Sequence, residues 1–237
     1  MTNFLSNRLA LVTGASRGIG AATARALAQA GAHVILTART AEDLEEVEEQ
    51  IHASGDKATI APLDLIESDS IARLAAAISG RWDALDVLVL NAATLGTLMP
   101  VAQIDGKEFS RVLTLNLLAQ QALIAGFDPL LRRSANGRLL ALTSSVGRSP
   151  RAFWGAYGAS KAALETLVLS YADEVRNVSP VRAAIVDPGA TATVMRARAF
   201  PGEDPATIKP PEAVADAILA LLEADFETGH RLDVRTG

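Results

Sequence analysis

The stretch Thr13-Gly-Ala-Ser-Arg-Gly-Ile-Gly20 decides the fold of this chain. The apolar run Arg8–Val12 precedes it and predicts a short buried strand, and an Ala-rich helical segment follows it to about Gly31. Glycines between a strand and a helix allow a tight turn and a close backbone approach, and the helix N-terminus attracts an anion. A glycine trio often marks no more than a tight strand–helix connection. Its position after the first strand nevertheless predicts a site for a dinucleotide pyrophosphate.

Short apolar strands and helical segments alternate along the whole sequence. The predicted strands are Arg8–Val12, His33–Thr37, Ala58–Pro62, Leu85–Leu90, Arg138–Leu142, Val181–Val186 and Leu232–Val234. The predicted helices after the first are Ala41–Ala53, about Ser68–Ser79, Gly106–Phe127, Phe153–Val175 and Pro211–Glu223. No linker or composition break divides them, so we predict one domain over residues 1–237. The alternation predicts an α/β fold with a single doubly wound parallel sheet and helices on both faces.

Composition excludes several classes of function. Hydrophobic residues make up 49% of the chain, which is ample for a continuous core. The net charge of −5 and the absence of any Lys/Arg run argue against a nucleic-acid partner. The chain has no cysteine and only three scattered histidines, so we expect no metal site. Without an apolar signal segment or a run of membrane-spanning length, we expect no membrane partner and a cytoplasmic location.

A second informative stretch is Tyr157-Gly-Ala-Ser-Lys161, with Ser144 thirteen residues before its tyrosine. A spacing of four places Tyr157 and Lys161 on one face of a helix. An ammonium beside a phenol favours the phenolate, which lowers the pKa of the phenol toward the range useful for proton transfer. The Ser144 hydroxyl could bind a carbonyl or alcohol oxygen beside the phenol. Alone, such a pair more often means a half-buried tyrosine and a surface lysine, and it is the glycine stretch that favours a catalytic site.

Several motifs in one order make the resemblance to a known family specific. They are Thr13–Gly20, Asp64-Leu65, Asn91-Ala92-Ala93, Asn116, Ser144, Tyr157 with Lys161, and Pro188-Gly189. Over nearly all of its length, the chain resembles the short-chain dehydrogenase/reductase family. The resemblance implies a Rossmann fold, a nicotinamide cofactor, a small-molecule carbonyl or alcohol substrate, and assembly into a homodimer or homotetramer.

The resemblance also implies roles for individual residues. Tyr157 would donate or accept the proton, and Lys161 would lower the pKa of Tyr157 and bind the nicotinamide ribose. Ser144 would position the substrate oxygen; the family spacings from Gly137 and from the tyrosine both select it over Ser145. Asn116 resembles the family residue that holds a water between Lys161 and solvent, and the alternative is a polar helix residue facing a neighbouring loop.

The chain departs from the family pattern in two places. The family's Asn-Asn-Ala-Gly after the fourth strand is here Leu90-Asn91-Ala92-Ala93, so the path of that loop could differ. The family's Asp-Gly-Gly-like ending is here Asp233-Val-Arg-Thr-Gly237, which bears on subunit contacts made by the tail.

The end of the second strand favours NADP over NAD. An NAD site usually has an acidic residue there, whereas this chain has Ala38 followed by Arg39. Arg17 lies in the glycine stretch, and two guanidinium groups suit a 2′-phosphate. The alternative is that both arginines only line a solvent-facing rim. The residues assigned to the cofactor are Gly14, Ser16, Arg17, Gly18, Ile19, Gly20, Arg39, Asp64, Leu65, Asn91, Ala92, Tyr157, Lys161, Pro188, Gly189, Thr191 and Thr193.

The predicted function is an NADP(H)-dependent oxidoreductase that interconverts a carbonyl and a secondary alcohol. One alternative is a nucleotide-binding regulatory or scaffold protein with little turnover. Another is an epimerase or dehydratase on nucleotide sugars, which generally needs a larger domain than the roughly fifty residues after Pro188 supply.

Substrate contacts are predicted in three loops. The candidate lining residues are Thr94–Leu98, Arg148–Trp154 and Met195–Phe200. The segment Thr191–Lys209 fits no helix or strand well, and we expect it to be a mobile substrate loop. The helix Phe153–Val175 is apolar or small on several faces, which predicts packing against a second subunit; the alternative is cover from Gly106–Phe127 alone.

Overall fold

The computed structural model describes residues 3–67 and 69–234. Within that part of the chain, seven strands form one parallel sheet in the order β3-β2-β1-β4-β5-β6-β7. The strands are β1 (Leu9–Thr13), β2 (His33–Thr37), β3 (Lys57–Ile60), β4 (Val87–Leu90), β5 (Arg138–Leu142), β6 (Arg182–Asp187) and β7 (His230–Asp233). The predicted doubly wound α/β fold is confirmed.

The helices cover both faces of the sheet. They are α1 (Gly18–Gln29), α2 (Ala41–Ala53), α3 (Ser70–Ser79), α4 (Gly106–Leu113), α5 (Ala119–Arg133), α6 (Gly155–Val175), α7 (Val194–Ala199) and α8 (Pro211–Glu223). Alternate residues of β1 point to opposite cores, because side chains in a strand alternate between its two faces. Ala10 and Val12 pack with α1, α2 and α8, whereas Leu9 and Leu11 pack with α3, α5 and α6.

The helix predicted as Gly106–Phe127 is wrong in its continuity and its end. A π turn, Thr114–Leu118, separates α4 from α5, and α5 continues through Pro129 to Arg133. The predicted end at Phe127 falls just before Pro129, a residue type that usually breaks a helix. Phe127, Leu130 and Leu131 are fully or almost fully buried around Pro129, and this packing outweighs the local preference.

The segment Thr191–Lys209 is more regular than its sequence predicted. It contains the helix α7 and a 3-10 turn at Pro205–Thr207, and a parallel bridge joins its two ends. The Thr193 hydroxyl accepts a hydrogen bond from the Arg196 N–H at 3.1 Å, which caps α7. The segment is therefore a folded flap anchored at both ends.

The predicted ends of one helix and of the last strand differ from the observed ends by about two residues. The helix predicted from about Ser68 begins at Ser70 as α3, and Ser68 itself lies outside the described residues. The last strand begins two residues earlier than predicted, and Arg235–Gly237 of the predicted tail are outside the described residues as well. Within residues 3–67 and 69–234, no helix has the length and apolar character needed to cross a membrane.

Candidate active site

The glycine stretch passes from β1 into α1 at the carboxyl end of the sheet. A Cβ built on Gly20 would overlap the carbonyl oxygen of Gly14 and lie 2.5 Å from the amide nitrogen of Asn91. Only glycine therefore lets the first turn of α1 approach the loop this closely. Ser16 is half-buried, and Ile19 packs against the core below the loop. A backbone cradle before a helix N-terminus fits a dinucleotide pyrophosphate.

Asn91 and Thr13 hold this cradle against the end of β4. The Asn91 side chain donates to the carbonyl oxygens of Thr13 at 2.9 Å and of Gly14 at 3.1 Å. The Thr13 hydroxyl accepts from the backbone N–H groups of Asn91 and Ala92. Sequence reasoning missed Gln120, whose amide donates to the Ala92 carbonyl at 3.0 Å. These bonds fix the loop that departs from the family pattern at Ala93.

The residues predicted to meet the adenosine end lie along the same edge. Arg17 is exposed at the N-cap of α1, and Arg39 is exposed just after β2. Leu65 is buried, while Asp64 is half-buried and accepts a hydrogen bond from the Ile66 N–H. Both guanidinium groups thus face solvent beside the glycine cradle, where a 2′-phosphate could bind them.

The loop after β6 closes the other end of the edge. The Gly189 N–H donates to Asp187 at 3.0 Å, and the Thr191 hydroxyl donates to the Pro188 carbonyl at 3.1 Å. A Cβ built on Gly18 would lie 3.3 Å from the Thr193 methyl group, so the glycine cradle and this loop face each other closely. The structure thus brings together two stretches whose residues the sequence assigned to the same cofactor.

The loop that carries Ser144 packs directly on the helix that carries Tyr157 and Lys161. Ser144 ends the extended segment after β5, and a 3-10 turn, Ser145–Gly147, follows it. A Cβ built on Gly147 would lie 2.9 Å from the Ala162 nitrogen and 3.1 Å from the Lys161 carbonyl carbon. Glycine at this position lets the serine loop approach α6 without a gap, so the contact fixes Ser144 relative to the tyrosine helix.

Tyr157 and Lys161 lie one turn apart at the start of α6, where the sequence predicted a helix, and both are buried. The Lys161 amine lies 5.7 Å from the centroid of the Tyr157 ring and donates to the Leu142 carbonyl at 2.8 Å. Burial lowers the pKa of Lys161 to about 8, although Glu165 opposes this shift. Burial, and then the negative charge of Asp187, raise the pKa of Tyr157 above its ordinary value.

The direction of the tyrosine shift corrects one expectation. The sequence predicted that Lys161 lowers the pKa of Tyr157, but in the chain alone that pKa is raised. The physical reason is that desolvation of the phenolate dominates. The amine of Lys161 is directed to the Leu142 carbonyl, and its own lowered pKa leaves it only partly charged above neutral pH.

Asn116 lies in the π turn and is fully buried. Its carbonyl oxygen accepts from the Thr94 N–H at 2.8 Å, and its amide donates to the Thr94 carbonyl and to the Ser160 hydroxyl at 3.0 Å. These bonds match the alternative in which a polar helix residue faces a neighbouring loop. They join the loop after β4 to α6, and the water-holding role implied by the resemblance stays a prediction.

Arg148, one of the predicted lining residues, belongs to a charged cluster behind the serine loop. It donates to Asp187 at 3.1 Å and to Asp233 at 2.7 Å, and it lies 3.7 Å from Glu165. A cavity of about 310 Å³ is lined by Ser145, Arg148, Ser149, Asp187, Gly189, Asp233 and Val234. Because neither Ser144 nor Tyr157 lines this cavity, it is not the place where a substrate oxygen would meet the tyrosine.

The fold and the site together define a class of protein. A glycine cradle for a dinucleotide and a buried Tyr/Lys pair meet at the carboxyl edge of one parallel sheet. This arrangement is typical of enzymes that combine a nicotinamide cofactor with proton transfer at an oxygen.

The comparison with protein families identifies the class. The model of the family described as short chain dehydrogenase matches residues 8–204, and the chain belongs to that family. It is therefore an oxidoreductase that acts on CH–OH groups with NAD(P) as acceptor.

Full-length relatives support this assignment. The chain is 38% identical over 240 residues to the "Uncharacterized oxidoreductase YciK" of Escherichia coli strain K12, covering 99% of this chain and 94% of the relative. A Shigella flexneri 2a structure complexed with NADP is 36% identical, with a TM-score of 0.95 and full coverage of both chains. An Escherichia coli CFT073 structure complexed with NADPH is 37% identical, with a TM-score of 0.92 and 99% coverage of each chain.

Proposed function

We propose that this protein is an NADP(H)-dependent oxidoreductase that interconverts a carbonyl and a secondary alcohol, with Tyr157 as acid/base. The observation that carries the proposal is the buried Tyr157–Lys161 pair on α6, packed against the serine loop at Gly147. In the chain alone the pKa of the buried phenol is raised, so Tyr157 keeps its proton near neutral pH and can give it to an oxygen atom bound beside it, while the nearby Lys161 amine can stabilise the phenolate that remains.

Ser144, Tyr157 and Lys161 have different roles at the substrate oxygen. Ser144 donates a hydrogen bond to that oxygen and orients it toward Tyr157. Tyr157 donates its proton to the oxygen during reduction and accepts it back during oxidation. The Lys161 amine lies 5.7 Å from the centroid of the tyrosine ring. In its protonated form, this amine stabilises the phenolate of Tyr157. The bound nicotinamide would supply or accept the hydride, and the protein supplies placement and electrostatics.

The cofactor preference rests on the edge beside the glycine cradle. Arg17 and Arg39 are exposed there, and Ala38 stands where an NAD site usually has a carboxylate. Two guanidinium groups favour a 2′-phosphate because each can form charge-assisted hydrogen bonds to it. The two similar structures that hold NADP and NADPH support the same preference.

The decisive experiment is Tyr157→Phe, which keeps the ring and removes the proton. We expect turnover with NADPH over a panel of ketones to fall by at least about 10²–10⁴-fold, the range of general acid/base catalysis. NADPH binding, measured by fluorescence titration, should stay nearly unchanged because the change is confined to one hydroxyl.

A matched control lies on the same helix. Tyr171 is the other tyrosine of the chain, and its hydroxyl donates to Asp128 at 2.7 Å, away from the reacting groups. We expect Tyr171→Phe to retain turnover. Wild-type turnover in Tyr157→Phe would refute the mechanism, and NADPH binding without turnover of any ketone by the wild type would favour the regulatory or scaffold alternative.

Two further statements stay predictions. A homodimer or homotetramer would cover the side of α6 where Ala159 is exposed and Leu167 half-buried, and Leu118 is exposed on the π turn. The cytoplasmic location rests on the sequence alone.

A further inference from the structure

The side of Tyr157 that faces the flap is lined by apolar groups. Tyr157 forms a small hydrophobic cluster with Leu95 and Val146, both of which are buried. The half-buried residues that pack against this cluster are Leu98, Trp154, Met195 and Ala199. They come from all three of the loops predicted to contact substrate. A group attached to a carbonyl at Tyr157 would therefore meet hydrocarbon and indole surface.

A stack of rings connects this cluster to the flap helix α7. The ring centroids of Trp154 and Tyr157 are 6.0 Å apart, in an edge-to-face arrangement. The centroids of Trp154 and Phe200 are 5.7 Å apart, and the guanidinium carbon of Arg196 lies 3.7 Å from the centroid of the Phe200 ring. Arg196 is thus the positive charge at the far end of the aromatic stack.

Glu203 occupies the hydrogen-bonding edge of that arginine. Its two carboxylate oxygens accept from Nε and a terminal nitrogen of Arg196, both at 2.6 Å. A two-pronged pair of this kind satisfies the directions in which a guanidinium binds a carboxylate best. Phe200 covers the face of the same group. Glu203 therefore occupies one hydrogen-bonding edge of the Arg196 guanidinium and neutralises its charge, and Phe200 covers one of its faces.

Arg148, another arginine of the predicted lining, is also neutralised by carboxylates. Arg148 is bound by Asp187 and Asp233 behind the serine loop. Arg196 and Arg148 are thus both held by carboxylates of the chain itself, whereas Arg151 and Arg198, in the same two predicted lining segments, are exposed. A substrate anion placed against the apolar cluster would lose its water there, and Arg196, the arginine that packs on the aromatic stack, is already paired with Glu203.

We propose that the substrate is an uncharged ketone or secondary alcohol with an apolar group beside the reacting carbon. We further propose that Glu203 determines specificity by keeping Arg196 from binding a substrate carboxylate. Both statements rest on the proposed function, because they describe the substrate of the same site. The discrimination combines an attractive apolar surface with the neutralisation of Arg196 by Glu203.

The test compares ketones that differ only in charge. The pairs are 4-methylacetophenone with 4-acetylbenzoate and 3-methylacetophenone with 3-acetylbenzoate, each reduced with NADPH. We expect kcat/KM to be at least about 100-fold higher for the methyl compounds, because the carboxylates would be desolvated against the apolar cluster while Glu203 holds Arg196. Equal values, or a preference for the carboxylates, would overturn the proposed substrate class.

The variant Glu203→Gln tests the role of the ion pair. Glutamine no longer neutralises Arg196, so we expect the preference for the methyl compounds to fall by at least about tenfold. The matched control is Glu46→Gln, a change on the exposed side of α2, which should keep the wild-type ratio. An unchanged ratio in Glu203→Gln would remove the assigned role of Glu203, whatever the wild-type preference is.

A binding measurement separates this inference from the proposed function. The chain has two tryptophans, so in Trp82→Phe the indole emission reports Trp154 alone. With NADP⁺ present, we expect the methyl ketones to quench that emission at concentrations at least about tenfold lower than the carboxylates do. If no ketone is turned over, the proposed function fails, but this titration still decides the substrate class. Equal quenching by both kinds of ketone would contradict the inference.

Discussion

Two buried basic side chains, Arg138 and Lys161, lie at opposite ends of β5 and differ in their hydrogen-bond and ion-pair partners. Arg138 begins the strand and donates to Asp225 at 2.9 Å and to the carbonyls of Gly137 and Pro180. Lys161 lies beside the end of the strand and has one hydrogen bond, to the Leu142 carbonyl. Among the described residues, no carboxylate lies within ion-pair distance of the Lys161 amine. One cation is paired, whereas the other is buried with a single neutral acceptor.

The same contrast between paired and unpaired polar groups holds for the two ends of the strands, which we call the amino edge and the carboxyl edge of the sheet. At the amino edge, Asp86 accepts from the Leu9 N–H, from Arg8 and from Ser134 at distances of 2.6–3.2 Å. At the carboxyl edge lie the glycine cradle, Ser144 and the Tyr157–Lys161 pair. Burial lowers the pKa of Arg138 as well, but arginine ordinarily titrates far above neutral pH and stays charged. We conclude that the amino edge stabilises the fold and that the carboxyl edge keeps polar groups for ligands.

After the loss of turnover expected for Tyr157→Phe, the next largest expected effect at the carboxyl edge is a change of cofactor preference. The double variant Ala38→Asp with Arg39→Ile replaces a cation with a carboxylate that can accept from a ribose 2′-OH and repels a 2′-phosphate. We expect the NADP-to-NAD ratio of kcat/KM to fall about 100-fold, which corresponds to losing charge-assisted bonds of roughly 1.5–3 kcal/mol. The free energy of unfolding without cofactor should change by less than about 0.5 kcal/mol, as is usual at exposed positions.

The control for the cofactor change is Arg73→Ile, which removes an exposed arginine from α3. It should leave the cofactor ratio at its wild-type value. A wild-type protein that already prefers NAD would show that Arg17 and Arg39 do not decide the cofactor. A large loss of stability in the double variant would contradict the inference that the residues of the carboxyl edge serve ligands and contribute little to the stability of the fold.

The sequence predicted the sheet well because its strands are continuous apolar runs. The run Leu85–Leu90 contains β4, which is buried throughout, as expected for a parallel strand covered on both faces. The catalytic spacing was equally informative, because a helix necessarily places Tyr157 and Lys161 on one face. Local patterns were sufficient in both cases.

Other features depend on contacts between distant parts of the chain. The π turn around Asn116 is associated with bonds to Thr94 and Ser160, which are far from it in sequence. The pairing of Arg148 with Asp233 likewise joins the loop after β5 to the last strand. The helix α7 is different, because its Thr193 cap and the helix formers that follow it were a usable local signal.

The amino edge gives the next prediction, because Asp86 has a structural role only. In Asp86→Ala the Leu9 N–H loses its acceptor, and the Arg8 and Ser134 side chains lose a partner. We expect a loss of about 1–3 kcal/mol in the free energy of unfolding, measured with urea, and no change in kcat. The nearby exposed change Asp83→Ala should cost less than about 0.5 kcal/mol. A fall in kcat with unchanged stability would contradict the division of roles.

The smallest predicted effect comes from Lys161 itself. Its pKa is about 8 in the folded chain and about 10.5 ordinarily, so between these values the unfolded chain binds more protons. Stability therefore increases with pH in this window, by about 1 kcal/mol from pH 7 to pH 9, as the cost of the buried ammonium disappears.

The measurement is the difference in unfolding free energy between the wild type and Lys161→Met at pH 7, 8 and 9. Most other titrating groups are common to both proteins, so their contributions largely cancel in the difference. We expect the wild type to gain about 1 kcal/mol relative to Lys161→Met over this range. The exposed change Lys107→Met should give a flat difference, because the amine there is solvated. If the difference between the wild type and Lys161→Met is also independent of pH, then burial costs the charge of Lys161 as little as it costs the charge of Arg138. In that case the two ends of β5 do not differ in the way we infer.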